Sequence, residues 1–212
     1  VIGDIKRADV GHSAEMYARS HLARPDFENM NELVTPHAVT VNPYFGWDGV
    51  RPFVQIAQQQ GKGVFVLVRT TNESAGEIQG FTNAEGMPLC DHVARLVAGW
   101  ANDEALRGRS GYSCLGAVVA AKDREHTARL RALMPNCILL VPGYGAQGAA
   151  EQDLAACFKS DGTGAIVSAS RSILYAYEQD SYRQAFQDDW EKCIEQACKD
   201  FVAHVARIAG LS

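Results

Sequence analysis

Near the start of the chain, VIGDIKRADV sets an acid, a lysine and a second acid close together: Asp4, Lys6 and Asp9. An ammonium between two carboxylates can do two kinds of work. The flanking negative charge keeps the lysine protonated even where it is partly desolvated, so it can give a proton to a carbanion. A carboxylate facing a bound anion supplies repulsion, which loss of CO₂ would relieve. The bland counterpart is a solvated salt-bridge set at the end of a strand. A second stretch, VPGYGAQGAA (residues 141–150), places Gly143, Gly145 and Gly148 between an apolar run and a helical pattern. Glycines let backbone N–H groups close on an anion, and a helix start adds its positive end. In SASRSI, Arg171 follows directly on another apolar run, where a guanidinium can grip the same phosphate bidentately.

The elements that must position these groups alternate along the chain. Residues 1–5, 38–42, 64–69, 114–120, 138–142 and 165–169 read as strands, in near-continuous apolar runs that suit a sheet covered on both faces. Helical patterns fall between them at 13–22, 49–60, 89–101, 123–134 and 151–159, with Asp123 at an N-cap position. A last amphipathic pattern, 182–208, repeats apolar residues from Phe186 to Ile208 in steps of three and four and predicts one long helix. Strand and helix in alternation predict a parallel sheet, either a barrel or an open doubly wound sheet, whose ligands bind at the carboxyl ends of the strands. The charged and glycine-rich stretches, together with NPYFGWDG and RTTNESAGEIQ, all fall at such ends. Asn42 and Pro43 are candidates to shape the pocket, and 73–79 is a candidate lid.

Composition narrows the function. The chain has 212 residues, 47% hydrophobic and 21% charged, which fits one soluble globular domain over 1–212. A net charge of −5 argues against nucleic acid or an anionic membrane as the partner, and no apolar run is long enough to span a bilayer. The six cysteines (Cys90, Cys114, Cys137, Cys157, Cys193 and Cys198) form no Cys-x-x-Cys pair and have no histidine at zinc-ligand spacing beside them. Free thiols in a reducing cytoplasm are expected, and no metal site. Trp47, Trp100 and Trp190 read as packing residues.

Taken together, DIKRADVGHSAEMYA, AVTVNPYFGWDGVRPF, GVFVLVRTTNESAGEIQ, LLVPGYGAQG and SRSI, in this order, resemble the orotidine 5'-monophosphate decarboxylase family, and its bacterial-type (type 2) branch most closely. The resemblance runs nearly end to end. It implies a (β/α)₈ TIM barrel and cofactor-free, metal-free decarboxylation of orotidine monophosphate to UMP in pyrimidine biosynthesis. By the same resemblance Asp4 lies near the substrate carboxylate and Lys6 protonates the carbanion at C6 of the pyrimidine. Asp9 and Ser13 reach across a homodimer interface into the partner's site. Thr71 contacts the pyrimidine, where the family usually has Ser. Gln147 and Arg171 grip the phosphate, helped by backbone groups around Gly145 and Ser170.

The resemblance also implies two further strand–helix units, carrying another aspartate and another lysine, which are expected before Val1. The six-strand arc by itself is expected to leave core exposed and not to turn over substrate. A fused orotate phosphoribosyltransferase domain is compatible with the sequence. Two alternatives stay open. A Mg²⁺-dependent sugar-phosphate decarboxylase or synthase of the same superfamily shares Asp-x-Lys-x-x-Asp but needs more acidic ligands at the strand ends. A non-catalytic phosphate-binding barrel would have no use for the flanked lysine.

Overall fold

The computed structural model describes residues 1–24, 34–143 and 151–211. In chain order the regular elements are β1 (Ile2–Arg7), α1 (Gly11–Leu22), β2 (Ala38–Val41), α2 (Trp47–Gln59), β3 (Gly63–Arg69), α3 (Ala75–Gln79) and α4 (Leu89–Ala101). They continue with β4 (Leu115–Val119), α5 (Arg124–Leu133), β5 (Leu139–Val141), α6 (Glu151–Ala155), β6 (Ala165–Val167), α7 (Arg171–Leu174), α8 (Asp180–Phe186) and α9 (Trp190–Ile208). The six strands form one parallel sheet in the order β1-β2-β3-β4-β5-β6, so each helical connection returns the chain to the next place in the sheet. Six parallel strands in sequential order are consistent with part of a barrel.

The two faces of the sheet are unequal. Val39, Val41, Val64, Val66, Leu115, Ala117 and Leu139 pack outward against the buried stripes of α1, α2 and α4, and this is the main core. β2 and β4 are buried along their whole length, which fits their unbroken apolar sequence. The opposite face carries a much smaller cluster of Ala38, Phe65 and Val118 flanked by Ile2, Leu67, Ile138 and Leu140. Gly116 makes room for it, because a Cβ there would lie 2.5 Å from the Ile138 carbonyl oxygen and 2.7 Å from the Phe65 ring.

Several expectations meet the structure directly. α4 covers Leu89–Ala101 as its periodicity predicts, burying Cys90, Ala94, Val97 and Ala101. Asp123 caps α5, its Oδ1 accepting from the His126 N–H at 2.9 Å. Trp47 and Trp100 stack with ring centroids 5.1 Å apart. Trp190, in contrast, is 56% exposed and is not a packing residue in this chain. The single helix expected over 182–208 is two helices. Gln187 and Asp188 adopt left-handed φ of 53° and 64°, and Asp189 then caps α9 by accepting from the Lys192 N–H at 3.2 Å. The apolar spacing runs on from Phe186 to Trp190 across the break, so periodicity alone could not reveal it. The helix expected over 151–159 ends at Ala155.

Candidate functional site

At the carboxyl ends of the strands the inner face of the sheet opens into a cleft of about 730 Å³. Its floor is apolar, from Ile2, Leu67, Val118, Leu140 and Ile166, and its rim is polar, from Asp4, Lys6, Thr70, Thr71, Asn72, Gln79, Ser168 and Ser170. An apolar floor under a few convergent polar groups is the usual build of a small-molecule site.

Asp4 and Lys6 belong to β1 itself, one residue apart in the pleat and therefore on one face. The next residue, Arg7, points the other way, its guanidinium 5.2 Å from the centroid of the Tyr17 ring. The pairing of β1 with β2 is irregular between Gly3 and Arg7, and Lys6 sits at a φ of 46°, which L-residues rarely adopt. Such irregularities re-aim side chains and cluster beside working sites. The Lys6 backbone N–H, released from the regular ladder, donates to the Thr40 hydroxyl at 3.0 Å. That hydroxyl in turn donates to Asp4 Oδ1 at 2.8 Å. Asp4 Oδ2 accepts a hydrogen bond from the Lys6 ammonium, with which it forms an ion pair.

Thr40 is fully buried, so this hydroxyl is a fixed strut between the strand backbone and the carboxylate. Burial works to raise the Asp4 pKa, but the hydrogen bonds from Lys6 and Thr40 and the Lys6 charge outweigh it and hold the carboxyl below its ordinary range. The arrangement is an oriented carboxylate and an ammonium, both open to the cleft. It can repel a bound anionic group and deliver a proton beside it.

Of the other expected site residues, Thr71 and Ser170 line the same cleft. Arg171 is exposed at the first position of α7, directly after Ser170, and is not part of the lining. Asp9 is half-buried beyond the end of β1, where its Oδ1 accepts from the Val10 N–H at 2.8 Å. Ser13 is exposed on α1, and neither it nor Asp9 reaches this chain's own cleft. Gly145 and Gln147 lie outside the described residues. Asn42 does not line the cleft; its Oδ1 accepts from the Tyr44 N–H at 3.0 Å and ends the strand in a turn.

Sequence reasoning missed Thr40, Thr70 and, as an individual contact, Gln79. Gln79 comes from α3, inside the stretch expected as a lid. Its Oε1 accepts from the Thr70 N–H at 2.9 Å while its Nε2 donates to the Thr70 hydroxyl at 2.7 Å. This two-point clasp fixes α3 against the end of β3. The Lys122 ammonium adds a hydrogen bond to the Thr71 carbonyl at 3.0 Å, tying the end of β4 to the same loop. A glutamine seven residues past a Thr-Thr-Asn turn could have been suspected of closing it.

Comparison with known proteins gives a consistent picture. The profile of the family described as "Orotidine 5'-phosphate decarboxylase / HUMPS family" matches residues 1–185. An orotidine 5'-phosphate decarboxylase of Caldicellulosiruptor saccharolyticus is 41% identical over 179 residues, covering 84% of this chain and 58% of that protein. One from Rhodopirellula baltica is 36% identical over 200 residues, covering 93% of this chain and 64% of that protein. The chain thus spans about three fifths of the length of these curated relatives. Among solved structures, Leishmania donovani OMP decarboxylase superposes with a TM-score of 0.70 at 27% identity, over 100% of this chain and 69% of the other. The UMP synthase of the same organism gives 0.69 at 29% identity, over 99% of this chain and 39% of the other.

Proposed function

Because the chain belongs to the orotidine 5'-phosphate decarboxylase / HUMPS family, we propose that the protein it represents decarboxylates orotidine 5'-monophosphate to UMP without a cofactor or metal in the reaction. The observation that carries this reading is the Lys6 ammonium held against Asp4 at the rim of a half-apolar cleft. The pyrimidine lies over the apolar floor with its carboxylate toward Asp4. As the C6–carboxylate bond breaks, CO₂ leaves, the electron pair stays on C6, and Lys6 Nζ supplies the proton that completes UMP. Repulsion between Asp4 and the substrate carboxylate is present before the bond breaks and absent afterwards, so it favours the transition state over the bound ground state. Thr40 and the irregular strand at Lys6 hold the two groups in place, which is the positional component of catalysis.

Thr71 meets the pyrimidine in this reading. Ser170, Arg171, Gly145 and Gln147 take the phosphate. Asp9 and Ser13 act in a partner's cleft across a homodimer interface, in keeping with their position away from this chain's own. The remaining two fifths of the relatives' length is where the rest of a closed eight-stranded barrel belongs, and the match to part of a UMP synthase leaves room for a fused orotate phosphoribosyltransferase domain. Among the described residues no helix is long and apolar enough to cross a membrane; we place the reaction in the cytoplasm. The names of the curated relatives favour this substrate over the sugar phosphates of the Mg²⁺-dependent alternative.

The test follows the loss of orotidine monophosphate absorbance with the full-length protein in EDTA, beside its Lys6→Ala variant. Turnover that survives EDTA and collapses in the variant supports the reading. No turnover from the intact protein, or turnover that requires Mg²⁺, overturns it.

A further inference from the structure

Beyond the wall formed by Thr70 and Gln79 lies a second cavity of about 300 Å³, between α3, α4 and the start of α5. Arg69, Cys90, Lys122 and His126 line it. At its inner end three side chains converge from two helices. Cys90 and Asp91 come from the first turn of α4, and His126 from the first turn of α5. Cys90 Sγ is 3.6 Å from Asp91 Oδ1 and 3.9 Å from His126 Nε2, and His126 Nε2 is hydrogen-bonded to the same Asp91 oxygen. Cys90 and Asp91 are buried and His126 is nearly so.

We propose that Cys90 Sγ, Asp91 Oδ1 and His126 Nε2 form a three-ligand site for a divalent transition-metal ion, Zn²⁺ above all, with its fourth position open to this cavity. Sulfur, imidazole nitrogen and a carboxylate oxygen are the donor types Zn²⁺ takes, and bonds of about 2.0–2.3 Å at tetrahedral angles set ligand atoms roughly 3.5 Å apart. The two sulfur distances already match that spacing. Only the His126–Asp91 contact has to open, with the metal replacing the hydrogen bond between them. Binding releases the Cys90 thiol proton to solvent and leaves His126 as the neutral Nδ1–H tautomer, the proton that Nε2 shared with Asp91 passing to Nδ1 through solvent. The thiolate and carboxylate together balance the ion's two charges.

The remaining Asp91 oxygen, Oδ2, accepts from Arg129 Nε at 2.9 Å. That outer contact fixes the carboxylate with Oδ1 free to ligate, as the second shell of a metal site does. Arg69 Nη1 is buried and has no hydrogen-bond partner among the described residues. Arg69 lines the same cavity, so an anionic fourth ligand such as hydroxide would find a guanidinium there. The ion would clamp α4 to α5 behind the clasp that holds α3 against the end of β3. No short motif marks it, because Asp91 and His126 stand 35 positions apart.

The test strips the full-length protein with a chelator and titrates it with Co²⁺ alone, a coloured substitute for Zn²⁺. The expected result is one equivalent bound with a thiolate-to-metal charge-transfer band that Cys90→Ser abolishes and His126→Gln weakens or shifts. Cys198→Ser, at an exposed thiol, should leave the band unchanged. Zn²⁺ should raise the thermal midpoint by about 5 °C in the parent and not in His126→Gln. Absence of the band at one equivalent overturns the proposal, as does its persistence in Cys90→Ser. If Cys90→Ser does not fold, an unaltered spectrum and Zn²⁺ response in His126→Gln overturns it equally. The readout is metal binding, so it stands apart from whether the protein decarboxylates orotidine monophosphate.

Discussion

Two carboxylates in this chain face the same electrostatic problem and meet it in different surroundings. Asp4 and Asp91 are each penalised by desolvation, and each is held below the ordinary carboxyl range by cationic and hydrogen-bonding partners that outweigh it. Asp4 keeps 62% of its side-chain surface exposed and its partner Lys6 keeps 50%, both at the rim of the large cleft. Asp91 keeps only 8%, enclosed by His126 and Arg129 between two helices. An exposed pair of this kind contributes little to stability, because water solvates either charge nearly as well as its partner does. An enclosed pair is expensive to break, because the survivor loses its solvent as well as its partner. The first arrangement is therefore available for chemistry, and the second for holding elements together.

The largest expected effect breaks the comparison at Lys6. Lys6→Ala should lower turnover of the full-length protein by about 10³-fold, as loss of a positioned proton donor does. The same substitution should change unfolding free energy by less than about 1 kcal/mol, measured by denaturant titration. A large stability loss together with modest kinetic damage would reverse the roles assigned to the two clusters. Next in size is Asp91→Ala. It removes the shared acceptor of His126 and Arg129, and should cost about 3 kcal/mol, read as a fall of roughly 9 °C in the thermal midpoint. Turnover per folded molecule should stay close to the parent's, since Asp91 does not line the cleft.

Thr40 sharpens the contrast from inside the first cluster. Its hydroxyl is the one fully buried member there, bonded to both the Lys6 N–H and Asp4. Thr40→Val keeps the shape and removes both bonds, so about 1–2 kcal/mol of stability should go. Asp4 would then be aimed only by the exposed Lys6, and turnover should fall by about tenfold while binding of the product nucleotide changes little. Equal losses in turnover and product affinity would mean that Thr40 merely shapes the cleft.

These expectations also show how much of the molecule could be read from sequence. The strands and the helix at Leu89–Ala101 were legible because their apolar patterns are local. So was the Asp123 cap. Periodicity left the order of the strands open between a barrel and a doubly wound sheet until the structure set them in sequence. Asp4 and Lys6 were legible because a charged pair straight after an apolar run is costly unless it is used. Thr40 was not, since within AVTV a threonine reads as an ordinary β-branched strand residue. Its partners are 34 and 36 positions away and become neighbours only when β1 lies beside β2. Cys90, Asp91 and His126 stayed hidden for the same reason, because α4 and α5 bring together residues that no spacing rule connects. The break at Gln187 and Asp188 was masked by an apolar pattern that keeps its step across the turn.

The smallest effect distinguishes the two carboxylates by acid. A group whose folded pKa lies below its unfolded value of about 3.9 adds stability that is fully present above that pH and lost as pH falls through the folded pKa. Both Asp4 and Asp91 shift in this direction, so each favours the folded state at neutral pH and ceases to do so in strong acid. Exposure decides the size. At Asp4 water screens the partner charge, so Asp4→Asn should flatten the dependence of the thermal midpoint on pH below about 4 by no more than the equivalent of ~0.5 kcal/mol. Asp91→Asn should flatten the same limb by clearly more, because His126 and Arg129 act on Asp91 through a water-poor medium. Thermal midpoints of the parent and both variants, taken at intervals from neutral pH down into strong acid, compare the two directly. If Asp4→Asn flattened the curve as much as Asp91→Asn, the carboxylate in the cleft would be as firmly committed to folding as the one between the helices, and would not be the freely available group that the cleft's chemistry requires.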